Sequence, residues 1–127
     1  MARNEGDLPR LLILDDEAGI LSSLRRALRR EGYEILTFER VDDALRELEL
    51  RAVDAILSDH KMPGMSGMTF LQSAAELRPE AARLLITGWP EAIPRSDLEE
   101  LGIRALITKP WDDAKLKATL QAVLRPR

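Results

Sequence analysis

The stretch Leu11-Leu12-Ile13-Leu14-Asp15-Asp16-Glu17 decides how the rest of the chain is read. Four consecutive apolar residues suit a strand covered on both faces, and the run stops abruptly in three carboxylates. Such a strand is buried and central, and its end carries charge. Outward from it the pattern repeats. Ile20, Leu24, Ala27 and Leu28 recur at helical spacing, with Arg25, Arg26, Arg29 and Arg30 mostly on the other side, until Gly32 interrupts. They predict a first helix of about three turns. Leu21 reads as the edge of its apolar stripe and the arginines as a solvated face. Glu34 to Phe38 suits a second strand; Val41, Ala44, Leu45 and Leu48 suit a second helix, with Asp42 near its start. Ala55-Ile56-Leu57-Ser58 predicts a third strand that runs into the loop Asp59-His60-Lys61-Met62-Pro63-Gly64-Met65-Ser66-Gly67. Phe70, Leu71, Ala74 and Leu77 mark a third helix ended near Pro79. Leu84-Leu85-Ile86-Thr87 and Ala105-Leu106-Ile107-Thr108 give two more strands, and Leu116, Leu120, Val123 and Leu124 a last helix. The alternation requires a fourth helix within residues 89–101, where Pro90 and Pro94 fit only a first turn.

Five strand–helix units in strict alternation imply a three-layer, doubly wound α/β fold, because each parallel crossover needs a connection of helix length. In such folds ligands bind at the carboxyl ends of the strands. The residues that close the apolar runs therefore form one expected site: Asp15 and Asp16, Asp59, Thr87, and Lys109 followed by Pro110. Clustered carboxylates repel one another unless a cation neutralises them, and hard oxygen ligands that leave room for water suit Mg²⁺ or Mn²⁺. With a metal and a lysine offsetting the incoming charge, one carboxylate can act as nucleophile toward phosphorus. Asp59 is the natural choice, since a Gly- and Pro-rich loop able to offer backbone carbonyl and N–H groups follows it. Lys109 is expected to pair with a phosphoryl oxygen, and Thr87 to donate its hydroxyl. Trp89 and Trp111, each two residues beyond a site residue, are expected near the pocket.

Composition narrows the alternatives. A chain of 127 residues is about one domain, with residues 1–9 expected to be a disordered lead-in and 10–125 the folded unit. No apolar run approaches the roughly 18 residues of a membrane span, so a soluble protein without a membrane partner is expected. Cysteine is absent, which removes disulfides and thiolate metal sites and makes the cytoplasm the default. The net charge is −3, with 19 basic residues interleaved among 22 acidic ones, so direct nucleic-acid binding is not expected.

The acidic pair Asp15-Asp16, the loop DHKMPGMSG from Asp59, Thr87 followed by Gly88, and Lys109-Pro110-Trp111 together resemble the response-regulator receiver domains of two-component signalling, from about Leu11 to Leu124. The resemblance implies a flavodoxin-like strand order of 2-1-3-4-5, with Asp59 as phosphoacceptor. It implies a cation held by Asp16, Asp59 and the backbone carbonyl of Lys61, with Asp15 acting largely through water. It further implies a phosphohistidine donor on a sensor histidine kinase or phosphotransfer protein, and a Thr87 that moves toward the phosphoryl group. An output domain or partner protein would be met through the fourth helix, fifth strand and fifth helix, a face through which the family also allows a homodimer. With no room for an output domain in this chain, it either binds a partner or is a piece of a longer regulator. The Lys109-Pro110-Trp111 ending favours a piece, and Arg125-Pro126-Arg127 suits either.

Two departures from the pattern stand out, at three positions. Leu106, three residues before Lys109, stands where receivers commonly carry an aromatic switch residue. Lys61 and Trp89, two beyond Asp59 and Thr87, border the path of the hydrolytic water in this family. Plainer readings accompany each residue: the acidic run as a helix cap, Asp59 and Thr87 as turn formers, Lys109 as a solvated lysine. His60, the sole histidine, reads as a loop residue and not a ligand. Three functions follow: a phosphorylation switch that catalyses its own phosphorylation and dephosphorylation without turning over a metabolite; a degenerate receiver used only for binding; and a Mg²⁺-dependent phosphatase with an aspartyl-phosphate intermediate. Lys61 weighs against the last, since such hydrolases usually place an acid/base carboxylate there.

Overall fold

A computed structural model describes residues 8–124. The lead-in expected over residues 1–9 lies mostly outside the described residues, as does Arg125-Pro126-Arg127. At Pro9 the chain is already pinned, because its carbonyl accepts the Glu34 N–H at 2.9 Å.

Five parallel strands, β1 (Arg10–Leu14), β2 (Glu34–Phe38), β3 (Ala55–Asp59), β4 (Ala82–Thr87) and β5 (Ile103–Thr108), form one sheet in the order 2-1-3-4-5. Five helices connect or follow them: α1 (Ala18–Leu28), α2 (Val41–Leu50), α3 (Gly67–Leu77), α4 (Arg95–Glu100) and α5 (Asp113–Val123). Strand alternation splits the core in two. Leu11, Ile13, Leu57, Ile86 and Ile107 pack with α1 and α5, while Leu12, Leu14, Ile56 and Leu85 pack with α2, α3 and Ile93. The central strand residues Leu11 to Leu14 and Ala55 to Leu57 are fully buried, as their uninterrupted apolar runs require.

The prolines of the fourth connection are accommodated by dividing it. Pro90 opens a 3₁₀ turn (Pro90–Ala92), and Pro94 precedes the six-residue α4, so neither ring lies where a helical N–H is needed. The first helix differs from its sequence reading in phase. Leu21 is buried with Leu24 and Leu28, whereas Ile20 is only partly covered. Leu77, expected on the inner face of α3, ends that helix half-exposed. The loop after Asp59 also has structure of its own, a two-rung antiparallel hairpin pairing Lys61 with Ser66 and Met62 with Met65, with Gly64 at φ +80° turning it.

Candidate functional site

Register and alternation assemble the site before any side-chain contact forms. Leu14 pairs with Ser58, which sets Asp15 beside Asp59; Asp59 pairs with Ile86, so Thr87 follows one step beyond; Thr87 pairs with Thr108, so Lys109 comes next. The Lys109 N–H donates to the Thr87 carbonyl at 2.8 Å, fixing its backbone to β4. Asp15 continues the row of Leu11 and Ile13, Asp59 that of Leu57, and Lys109 that of Ile107, so all three leave the sheet on the α1/α5 side. Thr87 follows Leu85 on the other side, where partly buried Leu106 pairs with Leu85.

The contacts bear this out. The Lys109 ammonium donates to Asp59 Oδ1 at 2.9 Å and to Asp15 Oδ2 at 3.0 Å. Asp15 Oδ1 accepts the Glu17 N–H at 2.9 Å, holding the acidic turn closed at the start of α1. Asp15, Asp59 and Thr87 are buried, and Asp16 is exposed. Oxygens of Asp15, Asp16 and Asp59 all lie within 4.8 Å of one another, a grouping able to hold a metal ion. A cleft of about 440 Å³ opens above Asp59, bordered by Glu17, His60, Lys61, Thr87, Trp89 and Lys109.

One ammonium among three carboxylates leaves excess negative charge. Burial, first of all, pushes the Asp59 carboxyl above the usual carboxylate range; Asp15 and Asp16 push the same way, and the Lys109 hydrogen bond opposes them without prevailing. For Lys109 the largest single influence is burial, which favours the neutral amine. The hydrogen bonds it donates to Asp59 and Asp15, and the charges of those carboxylates, together outweigh it and hold the ammonium above its ordinary value. The surrounding carboxylates push both groups upward, adding to burial at Asp59 and outweighing it at Lys109.

The backbone around Asp59 is tied down by hydrogen bonds. The Ser58 hydroxyl donates to the Asp59 carbonyl, the His60 N–H donates to the Ile86 carbonyl, and Gly67 N–H donates to the His60 carbonyl at 2.7 Å. A Cβ on Gly67 would run into the Asp59 carbonyl group, so the loop closes only around glycine.

All the expected site residues meet at this edge. Lys61 borders the cleft from the hairpin. Trp89 also lines it, but Trp111 does not: it packs against the α1/α5 side of the core, and its indole N–H donates to Asp113 at 3.0 Å. What the sequence concealed is His60. Its Nδ1 lies 3.4 Å from the Thr87 hydroxyl, which also accepts the Trp89 N–H at 3.0 Å. Burial, and secondarily the Lys61 charge, hold the imidazole below its ordinary value. The only available signal was that His60 directly follows Asp59.

Known proteins place the chain. The model for the response regulator receiver domain matches residues 11–121. The hydrogenase transcriptional regulatory protein HoxA of Bradyrhizobium diazoefficiens is 39% identical over 116 residues, covering 91% of this chain and 24% of that protein. The transcriptional regulatory protein PrrA of Mycobacterium tuberculosis is 30% identical over 119 residues, covering 94% of this chain and 51% of that one. The chain thus spans between about a quarter and about half the length of these relatives. Among solved structures, a CheY-like receiver domain protein of Methanospirillum hungatei superposes with a TM-score of 0.83 at 30% identity, covering 93% of this chain and 94% of that one. Vibrio cholerae chemotaxis protein CheY4 does so at 0.82 and 27%, covering 92% and 99%. With the sheet order, the acidic edge and a family match over most of its length, this chain belongs to the response regulator receiver domains of two-component signalling.

Proposed function

We propose that the chain is a phosphoacceptor switch in which Asp59 receives a phosphoryl group from a phosphohistidine on a sensor histidine kinase or phosphotransfer protein. The observation that carries this reading is the Lys109 ammonium bridging Asp59 and Asp15 at the floor of an open cleft. An Asp59 oxygen attacks phosphorus as the P–N bond to the donor imidazole breaks; the bonding pair goes to the ring nitrogen, which takes a proton. Water later attacks the acyl phosphate and returns the carboxylate and inorganic phosphate. The chain thereby catalyses its own phosphorylation and dephosphorylation and turns over no metabolite. Lys109 would exchange its bond with Asp59 for one with a phosphoryl oxygen.

The donor set fits Mg²⁺ or Mn²⁺, being three carboxylates of hard oxygen within mutual reach. Asp16, Asp59 and the Lys61 carbonyl would hold the ion, which supplies positive charge against the phosphoryl oxygens. Asp15 would act through water, since both its oxygens already accept protein hydrogen bonds. Thr87 would turn its hydroxyl to the phosphoryl group, and the change would reach a partner or output domain across α4, β5 and α5, the face on which a homodimer would also form. The setting is the cytoplasm.

Trp89 reports the test. Mg²⁺ with beryllofluoride, an acyl-phosphate mimic, should change its fluorescence in the wild-type chain and in Trp111→Phe, but not in Asp59→Asn. Silence in the wild-type chain would instead favour a receiver fold kept only for binding, the reading that Leu106 invites.

A further inference from the structure

The Thr87 hydroxyl already has two partners before any phosphoryl group arrives. It accepts the Trp89 N–H at 3.0 Å and lies 3.4 Å from His60 Nδ1. The ring is not there by chance of a loose loop. The His60 N–H is tied to the Ile86 carbonyl at 3.0 Å and its carbonyl to the Gly67 N–H at 2.7 Å, so both peptide groups of His60 are fixed between β4 and the start of α3. The side chain is half-buried and borders the cleft beside Asp59, Lys61 and Trp89.

We infer that His60 is a positioning residue that holds the Thr87 hydroxyl in its resting orientation and so sets the balance between the resting and activated forms. The inference rests on the phosphoacceptor reading above. With Nδ1 as the acceptor, the contact occupies the Thr87 hydroxyl hydrogen, the one donor that Thr87 could offer a phosphoryl oxygen. To reach a phosphoryl oxygen the hydroxyl must leave both His60 and Trp89. A ligand whose competent state is only partly populated binds more weakly by that fraction, so the His60 contact lowers the apparent affinity for anything that draws Thr87 inward. Trp89 couples the same event outward, since its N–H loses its acceptor and the 3₁₀ turn at Pro90–Ala92 follows directly. This route runs along the chain from Thr87 toward α4 and needs no aromatic at Leu106.

A titration of beryllofluoride at saturating Mg²⁺, read by Trp89 fluorescence, tests the inference. At 3.4 Å the contact is long, so removing it should tighten beryllofluoride binding about two- to fivefold in His60→Leu and in the independent variant His60→Ala. His60→Asn, which can return a polar atom near the Nδ1 position, should stay close to wild type. In a Thr87→Val background, the His60→Leu gain should vanish. Equal or weaker binding by His60→Leu and His60→Ala, or an undiminished gain without the Thr87 hydroxyl, overturns the inference while leaving the phosphoacceptor reading intact. Failure of the wild-type chain to respond at all overturns both.

Discussion

The Lys109 ammonium and the Asp59 carboxylate are 2.9 Å apart, yet the pair is not neutral, because Asp15 at 3.0 Å shares the same ammonium and Asp16 stands beside them. Charge on Asp59 is therefore a cost to the metal-free fold. Asp59→Asn keeps an acceptor for Lys109 and removes one negative charge. It should stabilise the metal-free protein by on the order of 1 kcal/mol, about 3–5 °C in Tm.

The pH dependence of that gain has a definite sign. A carboxyl whose folded-state pKa is raised gives the fold stability that is complete below its unfolded value, about 3.9, and is lost as pH rises through the raised folded value. The advantage of Asp59→Asn should therefore be small near pH 4, grow as pH rises, and level off toward neutrality. Thermal melts in chelator across that range check it; a gain that shrinks with rising pH would contradict burial and carboxylate repulsion as its cause.

Divalent cation should relieve the same repulsion. At a tenfold excess of Mg²⁺ over its Kd, linkage predicts about 1.4 kcal/mol of added stability, reversed by chelator. Asp16→Asn should raise the half-saturating Mg²⁺ concentration about tenfold or more, whereas Asp43→Asn, at a carboxylate on α2 paired with Arg46, should leave it unchanged.

Gly67 should resist substitution for a reason unrelated to charge. An alanine Cβ would strike the Asp59 carbonyl, and that carbonyl is held by β3 and the Ser58 hydroxyl, so neither side can yield cheaply. Gly67→Ala should cost about 2–3 kcal/mol and weaken the Mg²⁺ response. Gly19→Ala, with nothing within 4 Å of the added methyl, should be neutral or mildly stabilising in the same melts.

Strand positions and the site were legible in the sequence because both depend on local pattern. A fully buried strand must be continuously apolar, so Leu11 to Leu14 declared itself, and parallel topology brings the polar residues that end such runs to one edge. Register then does what no spacing rule could state, setting Asp15 beside Asp59 and Lys109 one step past Thr108. Helix rotation was less legible. Ile20 and Leu21 are both strongly apolar, and only the tertiary packing around α1 chooses Leu21 as the buried one. His60 lay beyond reach because its partner is 27 residues away and the contact depends on the hairpin that closes over Gly67.

That choice of phase is measurable. Leu21→Ala should cost about 2–4 kcal/mol, the range for a buried leucine, while Ile20→Ala, at a side chain only partly covered, should cost clearly less. Equal costs would mean that α1 is rotated otherwise.

The proposed switch stands on phosphorylation of Asp59. Incubation with acetyl phosphate and Mg²⁺, followed by intact-mass and peptide mass spectrometry, tests it most directly. One phosphoryl group should appear on the peptide carrying Asp59, none should appear in Asp59→Asn, and Lys109→Met should slow its appearance about a hundredfold. A wild-type chain that stays unmodified, or a phosphoryl group on any other residue, would contradict the account.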